Sequence, residues 1–389
     1  MKDKLNHWIK NSMRLLLRLF WLFPIKNNRV FFANFCTPKY ACNPKYITEY
    51  LAKHYPGIFE FVWMADIPEE ICQEKKIRTV KRNSLTYFYF LLTSKVFVSN
   101  AGMPTYIPFR KKQLTVATWH GGGAYKHVGV NIPGVSQIQY REFEKASQAT
   151  GLFLSSSRAF TETVIRQAFL YKGKVLEYGM PRNDILLSSP QDIARRVRKR
   201  YGVAEETKII LYAPTYRGDF FHASNEGAEA DDLDVQACIA AAQKRFGGTW
   251  CLFYRAHHAI TSHRANIACI DVGDYPDMQE LLCTVDMLIT DYSSSMWDFS
   301  LTEKPGFLFA TDVQKYKDER DFDTPMSEWP YVVTTNNAEL VDAIETFDGQ
   351  LHIDKVRNHL QALGSCETGH AAQTVGDYLY RFCLEGEKK

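Results

Sequence analysis

Short apolar runs alternate with helix-patterned stretches along most of this chain, and that alternation constrains its fold more than any other feature. Val30 to Asn34, Phe59 to Met64, Val96 to Ser99, Leu114 to Trp119, Leu152 to Ser155 and Val175 to Tyr178 read as strands. A helical pattern around Pro44 to His54 separates the first two. A second set follows: Lys208 to Tyr212, Trp250 to Tyr254, Ile267 to Ile270, Met287 to Thr290 and Gly306 to Phe309. Strands alternating with helices imply parallel sheets with helices on both faces. A length of 389 residues exceeds one ordinary core. The expectation is therefore an α/β chain of two Rossmann-like, doubly wound domains facing across a cleft. The expected divisions are residues 1–27, an amphipathic helix; 28–185 and 186–370, the two domains; and 371–389, a closing helix. Pro, Asn and Asp cluster between the domains in Gly179-Met180-Pro181-Arg182-Asn183-Asp184, and a basic helix from Ile193 to Tyr201 follows. Its cationic run suits anionic lipid and equally a solvated linker helix. The stretch from Gly218 to Asp232 reads as a mobile loop.

Charge excludes one class of partner. With 47 basic and 44 acidic residues the net charge is only +3, too small for a protein that holds nucleic acid by its phosphates. Nine scattered cysteines without a CxxC pair read as free thiols in a reducing compartment, not as disulfides or structural zinc. No run is long and apolar enough to span a bilayer. At the N-terminus, Asn6, Lys10, Arg14 and Arg18 share one helical face, opposite Leu5, Trp8, Ile9, Met13, Leu16, Leu19, Phe20 and Phe23. This pattern suits a helix lying in an anionic membrane surface; the plainer reading is a helix packed on the protein's own core.

Four polar segments follow strands directly, where ligands sit in open α/β sheets. In Thr290-Asp291-Tyr292-Ser293-Ser294-Ser295, continuing to Asp298, a strand turns into a helix. Capping needs one such side chain, whereas an Asp with three serines makes an anion site for phosphate. In Trp119-His120-Gly121-Gly122-Gly123, running on to Lys126, His120 is the residue type most easily poised as a general base. The glycines allow close backbone approach to a ligand. Tyr254-Arg255-Ala256-His257 places a guanidinium and an imidazole two residues apart, suited to a pyrophosphate leaving group. Tyr212-Ala213-Pro214-Thr215-Tyr216-Arg217 directs Thr215 and Arg217 to the same cleft. No cysteine or carboxylate joins the histidines at a zinc-like spacing, so no metal is expected. P-loop, GxGxxG and nucleophile-elbow signatures are absent.

Together these segments resemble the CDP-glycerol glycerophosphotransferase family, which primes and polymerises teichoic acids and related capsules. Gly179 to Asp184 and Asn43-Pro44-Lys45-Tyr46-Ile47 also look like that family. The resemblance runs from about residue 28 to 345. It implies a GT-B fold, a peripheral location on the cytoplasmic face of the membrane and no obligatory cofactor. The implied reaction moves glycerol or ribitol phosphate from a CDP-polyol to a hydroxyl of a lipid-linked or polymeric glycan, releasing CMP. Two departures stand out: Gly121-Gly122-Gly123-Ala124 replaces the family's Gly-Thr-Pro, and Tyr216 replaces a tryptophan. The first sits where an acceptor would approach.

The expected chemistry is in-line attack on the β-phosphorus. His120 takes the acceptor proton, while Arg255 and His257 neutralise the leaving group. Thr215, Arg217, Thr290, Asp291, Ser293, Ser294 and Asp298 bind the donor. Gly121, Gly122 and Lys126 bind the acceptor. Asp291 or Asp298 instead orients a histidine or binds a hydroxyl. The competing enzyme class is a glycosyltransferase using a nucleotide sugar.

Overall fold

The protein is described here by a computed structural model covering residues 10, 12–35, 38–188, 190–215, 233–255, 269–319 and 321–386. Its contacts divide into two compact units. The first comprises Met1–His120, Val128–Asp184 and Cys366–Lys389; the second comprises Gly121–His127 and Ile185–Ser365. Chain position and unit therefore part company at two places. The segment after His120 packs with the second unit, and the closing segment packs with the first.

The first unit holds β1 (Lys26–Ala33), β2 (Glu60–Met64), β3 (Ile77–Thr79), β4 (Ser94–Ser99), β5 (Leu114–Ala117), β6 (Leu152–Leu154) and β7 (Lys174–Leu176). They form one sheet in the order β3-β2-β1-β4-β5-β6-β7, with every pairing parallel. Val30, Phe31, Phe32 and Ala33 of β1 are wholly buried. Successive strand residues point to opposite faces, so a strand covered on both sides reads as an unbroken apolar run.

The second unit holds β8 (Lys208–Tyr212), β9 (Trp250–Tyr254), β10 (Ile270–Asp271), β11 (Met287–Thr290), β12 (Gly306–Phe309) and β13 (Val332–Thr334). Their order is β10-β9-β8-β11-β12-β13, again all parallel. Ile209 and Leu211 enter one apolar cluster with Leu288 and Leu308. Ile210 and Tyr212 enter another with Met287, Ile289 and Phe307. The alternation along each strand therefore feeds two cores, one per face.

In both sheets the first strand lies inside, and the chain winds outward one way before crossing to the other side. This is the Rossmann winding, which opens a crevice at the carboxyl ends of the two strands flanking the reversal. Those strands are β1 and β4 in the first unit, β8 and β11 in the second.

The closing helix, Ala371–Tyr380, is shorter than its apolar pattern and passes into a wider turn at Arg381–Glu385. It lies on the helix Cys42–His54, where a Cβ on Gly376 would meet the Tyr50 ring at 2.3 Å. Asp377 accepts from the hydroxyls of Tyr50 and Tyr55 at 2.9 and 2.8 Å.

The N-terminal segment sits on the first unit and binds it through two of its cations. Lys10 pairs with Glu142 at 2.9 Å, and Arg14 donates to the Thr105 carbonyl at 2.7 Å. Leu15, Leu16, Leu19 and Leu22 are 66, 66, 65 and 84% exposed. The plainer expectation, an apolar face packed on the core, fails for Leu16 and Leu19 of that face. No helix among the described residues is long and apolar enough to cross a membrane.

Candidate functional site

The first unit presents His120 just beyond β5. Trp119 before it adopts φ 54°, a left-handed conformation that costs a bulky residue on the order of 1–3 kcal/mol. Its carbonyl is held in place by Asn43 Nδ2 at 3.1 Å and Thr118 Oγ1 at 3.0 Å. Its ring lies 4.2 Å from the His120 ring and 4.6 Å from Phe169. His120 Nδ1 is 2.9 Å from the Asn100 carbonyl oxygen. A carbonyl only accepts, so this contact places the ring proton on Nδ1; in the neutral imidazole the lone pair then sits on Nε2.

A buried polar frame supports this arrangement. Arg182 Nη1 donates to the His120 carbonyl at 2.6 Å, and the Arg182 N–H donates to Asn43 Oδ1 at 3.1 Å. Asn100 Nδ2 donates to Asn34 Oδ1 at 2.7 Å, while Asn100 Oδ1 accepts from the Phe35 N–H at 2.9 Å. Asn34, Asn43, Asn100 and Arg182 are all buried. Asn34 and Asn100 follow β1 and β4 and so mark the reversal point of the winding. Neither belongs to a motif legible in the sequence, although each directly follows an apolar run, as His120 does.

In the second unit, the ends of β8 and β11 are laced together at their own reversal point. Asp291 accepts from the Thr215 N–H at 2.9 Å and from Thr215 Oγ1 at 2.5 Å. It also accepts from the Tyr292 N–H at 2.6 Å. Thr290 Oγ1 donates to the Ala213 carbonyl at 2.7 Å. Asp291 thus bridges two loops. From 287 to 300, Ser293 and Ser294 alone are not buried, so the turn presents these two hydroxyls. Ser293 Oγ accepts from the Ser295 N–H at 3.2 Å and from Ser295 Oγ at 3.0 Å. The helix that follows, Ser295–Ser300, is short and buried. Asp298 lies within it and accepts from Gln279 Nε2 at 3.0 Å.

Arg255 follows β9. Its N–H donates to the Tyr212 carbonyl at 2.9 Å, and Nη1 donates to the Tyr275 carbonyl at 3.0 Å. Burial pulls the guanidinium pKa below its ordinary value, against the charge of Asp277. Arg217 and His257 lie outside the described residues, as do Tyr216 and the stretch from Gly218 to Asp232.

The glycine run has a specific partner. A Cβ on Gly122 would lie 2.0 Å from Trp297 Cδ1, and the indole is completely buried. The close approach that Gly122 allows here is to Trp297. Gly121 is buried, and Lys126 is half-buried in a backbone bridge with Phe322. Among the described residues no cluster of His, Cys, Asp and Glu is arranged to hold a metal ion.

The first unit thus carries an oriented imidazole just beyond β5, and the second carries a hydroxyl-bearing turn at its own reversal point. The chain belongs to the CDP-glycerol:poly(glycerophosphate) glycerophosphotransferase family, which it matches over residues 15–381. It is 30% identical over 374 residues to the teichoic acid poly(glycerol phosphate) polymerase of Staphylococcus epidermidis, covering 92% of this chain and 51% of that protein. The chain thus spans about half the length of that relative. It is 28% identical over 396 residues to the teichoic acid glycerol-phosphate transferase of Staphylococcus aureus, covering 98% of each. The solved structure of the wall teichoic acid polymerase TagF matches with a TM-score of 0.79 at 28% identity, covering 100% of this chain and 98% of that one.

Proposed function

We propose that this chain transfers glycerol phosphate from CDP-glycerol to a hydroxyl of a polyol-phosphate acceptor carried on a lipid-linked glycan. The acceptor oxygen attacks the β-phosphorus. A new O–P bond forms as the pyrophosphate bond breaks, and CMP leaves with the bridging oxygen. His120 takes the hydroxyl proton on Nε2. Ser293 and Ser294 hold donor phosphate oxygens, on a turn that Thr215, Thr290 and Asp291 keep in shape and that Asp298 supports through Gln279. Arg255, His257 and Arg217 offset charge growing on CMP. Gly121 and Lys126 belong to the acceptor side, and Gly122 keeps their segment seated on Trp297. Phosphoryl transfer draws mainly on positioning and electrostatics, which these groups supply.

The observation that carries the reading is the His120 contact with the Asn100 carbonyl, which leaves Nε2 as the basic nitrogen. The two relatives named above are glycerol-phosphate enzymes, which supports glycerol over ribitol. The exposed leucines from Leu15 to Leu22 support docking on the cytoplasmic face of the membrane. The test offers CDP-glycerol, CDP-ribitol and nucleotide sugars separately with a lipid-linked acceptor. Released nucleotide and product mass are then measured. CMP release with a glycerol phosphate mass increment is expected; transfer of a sugar alone would sink the proposal.

A further inference from the structure

A pocket of ≈ 510 Å³ opens on the first unit at the carboxyl ends of β1, β2 and β3. Its wall includes Asn34, Phe35, Asp66, Thr79, Lys81 and Arg82. Lys81 and Arg82 are exposed, and among the described residues no carboxylate pairs with either. The Arg82 guanidinium lies 5.1 Å above the Phe35 ring, which fixes its position without neutralising it. Asp66 is exposed on the same rim. Two uncompensated cations beside a carboxylate and a threonine hydroxyl form a mixed set. Cations alone would suit any anion; the added acceptors suit a ligand that alternates phosphate with hydroxyl groups.

The pocket also adjoins the His120 frame. Asn34, in its wall, accepts from Asn100 at 2.7 Å, and the Asn100 carbonyl holds His120 Nδ1 at 2.9 Å. In the sheet, β1 is separated from β5 by β4 alone, so the pocket starts about 10 Å from the strand that carries His120. That is too far for the reacting hydroxyl and suits a part of the acceptor behind it.

We propose that this pocket binds an internal phosphodiester of the polyol-phosphate acceptor, with Lys81 and Arg82 on the phosphate and Asp66 and Thr79 on polyol hydroxyls. The inference rests on the polyol-phosphate reading of the acceptor. It makes the transferase favour an acceptor that already carries phosphodiester units, and so sets a preference for extending chains over starting them. An anionic lipid headgroup offers the same phosphodiester chemistry from another source.

The test uses the full chain and measures binding, so it does not depend on turnover. A short glycerol phosphate oligomer is titrated into wild type, Lys81→Ala/Arg82→Ala and Lys111→Ala/Lys112→Ala. The last removes the same charge from exposed lysines elsewhere on the first unit. Affinity is expected to fall about tenfold in the first variant, one charge-assisted contact being worth that much, and to hold in the second. Equal loss in both variants, or loss in neither, overturns the proposal. So does loss of binding to phosphatidylglycerol vesicles without loss of binding to the oligomer. With turnover, the acceptor KM should rise more for an oligomer-bearing acceptor than for one without phosphodiesters. If wild type binds the oligomer yet releases no CMP from CDP-glycerol, the functional reading fails while the pocket assignment stands.

Discussion

A histidine serves as a base from one nitrogen at a time, and the nitrogen is chosen by what the other one touches. Here the Asn100 carbonyl makes that choice for His120. His120→Ala should therefore lower CMP release by about 10²- to 10⁴-fold while CDP-glycerol binding persists. A near-normal rate would reassign the base. Asn43 acts one step back. It is fully buried, and its amide serves the Trp119 carbonyl and the Arg182 N–H together. Asn43→Ala leaves the buried Arg182 N–H without its acceptor and the Trp119 carbonyl with Thr118 Oγ1 alone, so urea unfolding should show a loss of about 1–3 kcal/mol. The rate should fall as well, because Trp119 is then less firmly held in its left-handed conformation. His120 stands out in the sequence because it follows an apolar strand and precedes glycines. Asn43 and Arg182 stood out there only as pieces of a family pattern. Their physical task, bracing His120 from 77 and 62 positions away, comes from sheet order, which residue spacing does not reveal.

Elements reach one another here through a few contacts that tolerate no added atoms. Gly122 lies against the buried Trp297 indole, which has no space to retreat. Gly122→Ala should cost about 1–3 kcal/mol by overpacking in an equilibrium unfolding measurement. An unchanged midpoint would mean the segment is not seated on Trp297. Asp184 joins elements electrostatically, accepting from the first N–H groups of the Ala371–Tyr380 helix at 3.0 and 2.8 Å. Burial raises its pKa to about 6, more than those two bonds lower it. The folded state then holds this proton more tightly than the unfolded chain does. Its stabilising contribution is full below about pH 4 and is lost as pH rises through about 6. Asp184→Asn should remove that loss, gaining on wild type by roughly 2 kcal/mol between pH 4 and pH 7 in urea titrations. The long strands were readable because both their faces are buried. β3 and β13 were not: each has three residues, lies at a sheet edge and is partly exposed, so neither makes a sustained apolar run.

At the scale of the whole molecule, the question is how a chain with no membrane-crossing helix among its described residues would meet the lipid-linked acceptor proposed for it. The sequence pattern offered two attractions, a basic face for anionic headgroups and an apolar face for acyl chains. In the fold, two cations of the first are engaged by the protein itself. Lys10 is committed to Glu142, which also accepts from Thr105 at 2.7 Å and from Lys145 at 3.1 Å. Burial pushes the Glu142 pKa up, but these hydrogen bonds outweigh it and bring it down to about 2. The carboxylate stays charged and the clasp persists across ordinary pH; its stabilisation is lost only as pH falls from about 4.5 through about 2. Helical periodicity alone could not have shown this, because Glu142 lies 132 positions from Lys10. With Lys10 and Arg14 engaged on the protein, the proposed membrane docking would draw chiefly on Leu15, Leu16, Leu19 and Leu22, each worth up to about 1.5–3 kcal/mol when fully withdrawn from water. Vesicle co-sedimentation should then be weakened strongly by Leu16→Ser/Leu19→Ser and only slightly by raising salt, since screening acts on charges and leaves apolar burial intact. If salt alone released the protein while the double variant stayed bound, the leucines would not be the anchor, and attraction to the membrane would have to come from cations elsewhere, such as the Arg195 to Arg200 run of the Gln191–Tyr201 helix.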